Sequence, residues 1–257
     1  MLLTIDVGNT NIGFGLFEGE ELVHQFRCES ARQRTADEYA VLLRHMVAMR
    51  NVDLRDIDAA IIASVVPALT DVLAETVRRA FAREPVVVGP GIRTGMPILY
   101  ENPREVGADR IVNAVAAFEE VRDALIVVDF GTATTFDCVS KKGEYLGGVI
   151  APGIQISLDA LVSRAAKLPR IEIALPPRVV GRNPIHSMQS GIVYGYAGLV
   201  DGIVERLQAE IGPTRTVLAT GGLARLIVPH TKTIDRVDEA ITYRGLRILY
   251  ERNVASG

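Results

Sequence analysis

The sequence predicts an α/β protein of two similar halves, each a mixed β-sheet with helices, facing one another across a cleft. Three observations predict it. A pattern of apolar strand, Asp, Gly and Thr-containing turn occurs twice, as TIDVGNTNIGFGLF (4–17) and VVDFGTATTFDCV (127–139). Each occurrence is followed by the same order of elements. The length, 257 residues, suits one large domain or two of roughly 100 to 150 residues.

In the first half, Asp6 ends an apolar run and a second apolar run resumes after Gly8-Asn9-Thr10. Glu18-Gly19 is placed as a two-residue hairpin turn leading into ELVHQF. Thr35 and Glu38 have capping-box spacing, and Tyr39, Leu42, Leu43, Met46 and Val47 then share one helical face. AAIIASVV (59–66) reads as a buried strand, and Pro67 marks the start of a second helix. In the second half, Asp129 takes the place of Asp6, and Lys142-Gly143 is the hairpin turn into EYLGGVI. A less regular stripe of Ile156, Leu158, Leu161, Val162 and Leu168 follows, then a long helix over 187–211, a strand in TVLATGG (216–222) and a closing helix over about 236–252. The order strand, strand, strand, helix, strand, helix, found twice, divides the chain into 1–115 and 116–257, and ligands favour the cleft such halves would form.

Charge and cysteine usage narrow the class. A net charge of -3 with pI near 5.9 offers no basic face for nucleic acid or anionic lipid, so a small anionic ligand needs a local site. Cys28 and Cys138 stand far apart in strand-like surroundings and read as reduced thiols, with no zinc-ligand spacing. The chain opens on a strand rather than a charged and apolar leader, and no apolar run reaches about 18 residues. These features predict a cytoplasmic protein without membrane or nucleic-acid partners.

A carboxylate at the end of a buried strand is costly unless it is met by charge or hydrogen bonds. The turns after Asp6 and Asp129 offer main-chain N–H groups, hydroxyls and glycines that suit phosphate oxygens, with Mg²⁺ and its water shell as the bridge between phosphate and carboxylate. Two such loops can hold a nucleotide's phosphates from both sides. Walker A spacing is absent, and GNTNIGFG does not fit the dinucleotide fingerprint. The third glycine loop, ATGGLA (219–224), is either an approach to the nucleoside or an ordinary strand-to-helix turn. Asp109 and Arg110 open an apolar helix, where a carboxylate can accept a hydroxyl proton and a guanidinium can hold an anion; ordinary first-turn residues look the same. Asp137 reads as outward-facing or turn-paired, and His24, His45, His186 and His230 as structural or surface residues. GIVYGYAGLVDGIV (191–204) reads as a tightly packed helix and a candidate dimer face.

The paired turns resemble the superfamily of acetate kinase, hexokinase, Hsp70 and actin. Within it, TIDVGNTN, ENPREVGADR (101–110), DFGTATTFD and GGVIAPG (147–153), in this order and in so short a chain, resemble type III pantothenate kinases from Met1 to about Arg252. The resemblance implies duplicated ribonuclease-H-like halves and ATP-dependent phosphorylation of pantothenate to 4'-phosphopantothenate, the first step of coenzyme A biosynthesis. It implies Asp109 as catalytic base, and Tyr100, Gly107, Ala108, Asp109 and Arg110 around pantothenate. ATP falls to Asp6, Val7, Gly8, Asn9, Thr10, Asn11, Ile12, Gly13 and Thr132. Asp129 would hold a monovalent cation, K⁺ or NH₄⁺, and Asp6 would reach Mg²⁺ through water. A homodimer sharing the substrate pocket is also implied.

One position departs from the pattern. Where the family usually has Gly-Lys-Asn-Thr, with the threonine hydroxyl reaching pantothenate from the neighbouring subunit, this chain has Gly181-Arg182-Asn183-Pro184. Proline has neither a hydroxyl nor an N–H, so this contact must weaken or pass to Asn183 or Ser187. The alternative readings are a kinase of another small hydroxy acid and a nucleotide-binding regulatory protein.

Overall fold

The computed structural model describes residues 1–254. The opening apolar runs form strands Leu2–Val7 (β1), Asn11–Glu18 (β2) and Glu21–Glu29 (β3), an antiparallel meander in which Asp6 lies opposite Gly13. The hairpin turn is Gly19-Glu20, one residue later than the sequence suggested. Glu18 pairs with Glu21, and Gly19 takes the positive φ (58°) that such a turn requires. Thr35 caps helix Ala36–Ala48 (α1) with both bonds of the capping box present: the Glu38 N–H donates to the Thr35 hydroxyl, and the Thr35 N–H donates to the Glu38 carboxylate at 2.7 Å. Strand Ala59–Ser64 (β4) runs parallel to β1, and helix Pro67–Phe81 (α2) starts with proline at N1, where no N–H is missed. Leu3, Ile5, Val7, Ile12 and Phe14 form the core of this sheet with Tyr39, Leu43 and Val47 of α1 and Leu69, Leu73 and Val77 of α2.

The second repeat builds the same sheet. Strands Leu125–Phe130 (β6), Ala133–Val139 (β7) and Tyr145–Pro152 (β8) form its meander. Here Lys142-Gly143 lies in a turn longer than two residues, closed by the Ser140 N–H on the Glu144 carbonyl at 2.8 Å. Strand Thr216–Thr220 (β9) runs parallel to β6. Two-residue strands at Val86–Val87 (β5) and Arg236–Val237 (β10), too short to leave a periodic signal, complete two five-stranded sheets. The orders β3-β2-β1-β4-β5 and β8-β7-β6-β9-β10 correspond strand for strand, with the same parallel and antiparallel pairings.

The helices depart further from expectation. Helix Ile154–Arg164 (α4) buries Leu158 but leaves Ile156 and Leu161 exposed, so the predicted stripe divides between two faces. The long helix runs Pro184–Ile211 (α5), a turn longer than predicted. Asn183 accepts the His186 N–H at 2.8 Å, and Pro184 occupies N1. Its buried stripe, which includes Ile192, Val193, Tyr196, Ala197, Val200 and Val204, packs with Ile126, Val128 and Phe130. Helices Ala108–Val121 (α3), Ala224–Ile227 (α6) and Ile241–Val254 (α7) complete the set.

Contacts group the chain into two units. One takes residues 1–97, 101–116 and the described residues from Ala240 onward; the other takes 98–100 and 117–239. The closing helix, read from sequence as part of 116–257, therefore packs with the first sheet, on β1 and β4. Its stripe of Ile241, Gly245, Leu246 and Leu249 is buried. Gly245 lies against the Val112 carbonyl, so close that a methyl group there would overlap it. Gly245→Ala should lower stability by about 1–3 kcal/mol through overpacking, read as a lower denaturation midpoint; an unchanged midpoint would show that α7 is not held against α3 in this way.

Candidate active site

In the first unit, the loop after Asp6 is a tight turn held from outside. The Gly8 N–H donates to the Asn11 carbonyl at 3.0 Å, the Ser30 hydroxyl to the Gly8 carbonyl at 2.6 Å, and the Ser30 N–H to the Thr10 carbonyl at 3.0 Å. The Gly8 N–H is thus spent on the turn itself, while Asn9, Thr10 and Asn11 are exposed. Arg32 donates to the Asn9 side-chain oxygen at 3.3 Å. The loop presents a fixed polar edge beside Asp6, as phosphate binding requires.

The sequence missed Tyr243. On α7, its ring covers β2: a methyl at Gly13 would come 2.5 Å from the Tyr243 hydroxyl oxygen, and one at Gly15 would come 3.0 Å from Cδ1. The glycines of GFG therefore make room for an aromatic ring from the far end of the chain. Their small size was the one local hint. Burial, reinforced by the negative charge of Asp6 and opposed by Arg27, pushes the Tyr243 phenol up to about 12. It stays a neutral hydroxyl next to Asp6.

Asp109 occupies the first turn of α3. Its Oδ1 accepts the Arg110 N–H at 2.8 Å, and a methyl at Gly107 would come 2.5 Å from that same oxygen. Gly107 is thus the residue that lets the carboxylate fold back over its own loop. Burial raises the Asp109 pKa above its ordinary value, with the Arg110 N–H and guanidinium pulling the other way. Arg110 is itself buried. A desolvated carboxylate of raised pKa is suited to accept a proton.

In the second unit, Asp129 ends β6 opposite Thr135 and beside Thr220. The third glycine loop closes on it. Gly221 has a positive φ (94°), and a methyl there would come 2.6 Å from Asp129 Oδ1 and from the Phe130 carbonyl oxygen. A cradle of carboxylate and carbonyl oxygens that only glycine leaves open fits a hard cation. Thr132 is held by a close approach of Gly153, whose missing side chain would collide with the Thr132 carbonyl.

Asp137 is not outward-facing. It is fully buried on β7 and accepts the Tyr145 hydroxyl at 2.7 Å, the partner that makes its burial tolerable. Tyr100 lies in a loop of the second unit, partly exposed, with its ring over Gly147. Gly107 to Arg110 belong to the first unit. Pro184 lines a cavity of about 830 Å³ together with Arg182, Asn183 and Ser187.

Two matching mixed sheets, each with an Asp-Gly-Thr turn at the end of its first strand, define an actin-like fold with duplicated ribonuclease-H-like halves. A solved structure from Sinorhizobium meliloti, assigned as a 2-dehydro-3-deoxygalactonokinase, has the same fold with a TM-score of 0.60 at 11% identity, over 98% of each chain. The family model for type III pantothenate kinase matches residues 2–206. The type III pantothenate kinase of Moorella thermoacetica is 58% identical over 98% of this chain and 100% of its own length. That of Myxococcus xanthus is 57% identical over 100% of both. The chain belongs to the type III pantothenate kinase family.

The raised pKa of Asp109 has a stability consequence. Its folded pKa lies above the unfolded value, so the charged carboxylate is penalised at pH above the folded pKa. The penalty disappears as pH falls towards the unfolded value. Asp109→Asn should therefore be at least as stable as wild type at neutral pH, the difference shrinking on acidification. A lower melting temperature at neutral pH would show that the charge is structurally required.

Proposed function

We propose that the chain transfers the γ-phosphoryl group of Mg-ATP to the terminal hydroxyl of pantothenate, giving 4'-phosphopantothenate and ADP for coenzyme A biosynthesis. The observation that carries this reading is the desolvated Asp109 carboxylate at the start of α3, in a family defined by this activity. The hydroxyl oxygen attacks the γ-phosphorus as the bond to the β,γ-bridging oxygen breaks, and the hydroxyl proton passes to Asp109 late in the step. Arg110 and Gly107 to Asp109 orient the acceptor, and Tyr100 closes on it. Asp6 to Gly13 and Thr132 hold the phosphates. Asp6 would hold Mg²⁺, which would supply charge neutralisation, and Asp129 with its glycine cradle would hold K⁺ or NH₄⁺.

Labelled γ-phosphate should move from Mg-ATP to pantothenate with wild type and not with Asp109→Asn. Activity should fall when K⁺ is replaced by Na⁺. Full activity in the variant would remove Asp109 as base, and indifference to the cation would remove that role from Asp129. Absence of product from folded wild type would favour another acceptor or a regulatory protein.

The reading extends to a cytoplasmic homodimer. On α5, a methyl at Gly191, Gly195 or Gly198 would meet nothing within 4 Å, while Ile156, Leu161, Val180 and Ile185 of the same unit are exposed. An apolar surface of this kind supports a partner there. Pro184 brings no hydroxyl to a shared pocket, and Asn183 is committed to His186, so the Ser187 hydroxyl and the Arg182 guanidinium are donors on that cavity that could take its place. Sedimentation equilibrium should give twice the 27.9 kDa chain mass, and Gly195→Arg should give the mass of one chain with unchanged circular dichroism. A dimeric Gly195→Arg would take α5 out of the interface.

A further inference from the structure

We propose that Tyr145 is a positioning residue for the substrate, acting by seating the three-residue segment that carries Tyr100; this rests on the reading of Tyr100 as a pantothenate contact. Residues 98–100 group with the second unit, although the chain on both sides of them groups with the first. Their placement therefore depends on what they meet in the second sheet, and the main-chain link is to one residue. Ile98 makes an isolated parallel bridge to Tyr145, in which the Leu99 N–H donates to the Tyr145 carbonyl at 2.8 Å.

Tyr145 is fixed from its other end. It is fully buried at the start of β8, and its hydroxyl donates across the hairpin to Asp137 Oδ1 at 2.7 Å. A buried bond of this type, in low dielectric, is stronger than an exposed one and sets one rotamer. Between Tyr145 and Gly147 the ladder slips: Val139 pairs with Tyr145 and Cys138 with Gly147, leaving Leu146 as an extra residue. Such a bulge re-aims the strand. Gly147 takes a positive φ (107°) there and offers a bare patch of backbone to Tyr100, whose Cδ2 and Cε2 would stand 3.5 Å from a methyl at that position. The phenol of Tyr145 thus fixes the strand start, the strand start fixes Leu99, and the bulge glycine provides the seat for the next ring. Tyr145 touches the proposed acceptor only through Tyr100.

The test compares Tyr145→Phe, which removes one oxygen, with Tyr100→Ala. Tyr145→Phe should raise the pantothenate KM about 5- to 10-fold while kcat and the ATP KM stay within about twofold, the pattern of lost substrate binding. A second readout is optical. The chain contains no tryptophan, so Tyr100→Trp places a single reporter on the segment. Adding Tyr145→Phe to it should shift the emission to the red and lower its anisotropy. If Tyr100→Ala raises the pantothenate KM but Tyr145→Phe does not, or if the emission of the indole reporter is unchanged by Tyr145→Phe, the seating role is overturned while the substrate role of Tyr100 stands. A Tyr100→Ala enzyme with normal pantothenate KM would overturn the substrate role and the proposal with it. A Tyr145→Phe enzyme that melts earlier yet keeps every kinetic constant would leave the bond as structure alone, against the proposal.

Discussion

Carboxylates kept at the ends of buried strands and at a buried helix start set the terms for everything packed around them. Desolvation makes each of them costly, and the fold answers in the same way at several places: it removes a side chain beside the acid. Gly107 makes way for Asp109, and Gly221 makes way for Asp129. Asp137 is met by the Tyr145 phenol. An acid beside an open space can take a proton or a cation there. An acid beside a phenol becomes a bracket.

Duplication gave the chain two copies of one device, and the copies have diverged through their surroundings. The strand orders and pairings of the two sheets correspond throughout. Yet Asp6 has a helical tyrosine over its hairpin, whereas Asp129 has a glycine loop closing on its carboxylate. The first arrangement keeps a neutral hydroxyl near a carboxylate that would face a hydrated metal. The second leaves an oxygen-lined hollow. The same strand-turn-strand framework thus carries two different electrostatic environments.

What was legible in the sequence was local. The capping box at Thr35, both meanders, Pro67 at a helix start and the two acid turns depend on residues within a few positions of each other, and all were found. The hidden features were those fixed by distant partners. Asp137 looks exposed until Tyr145 folds onto it. The stripe of Ile156 and Leu161 looks buried until α4 is packed, when both face outward. Gly13 and Gly15 leave room for Tyr243, a ring from the far end of the chain that no local spacing announces. The two-residue edge strands carry too few residues for any period. The site residues of the family pattern sit at strand ends and a helix start, where sequence motifs are densest. The residues that hold them in place are scattered, and no spacing announces them.

The packing of α7 on β1 and β4 bears on how the chain is made. Synthesis delivers β1 and β2 long before the helix that covers them, so the strands around Asp6 emerge without Tyr243 over the glycines of β2. The second unit, by contrast, has its whole sheet once residue 239 has been added. A nascent chain can therefore complete its later half before its earlier one, and the glycines of β2 are covered only after the second sheet has been made.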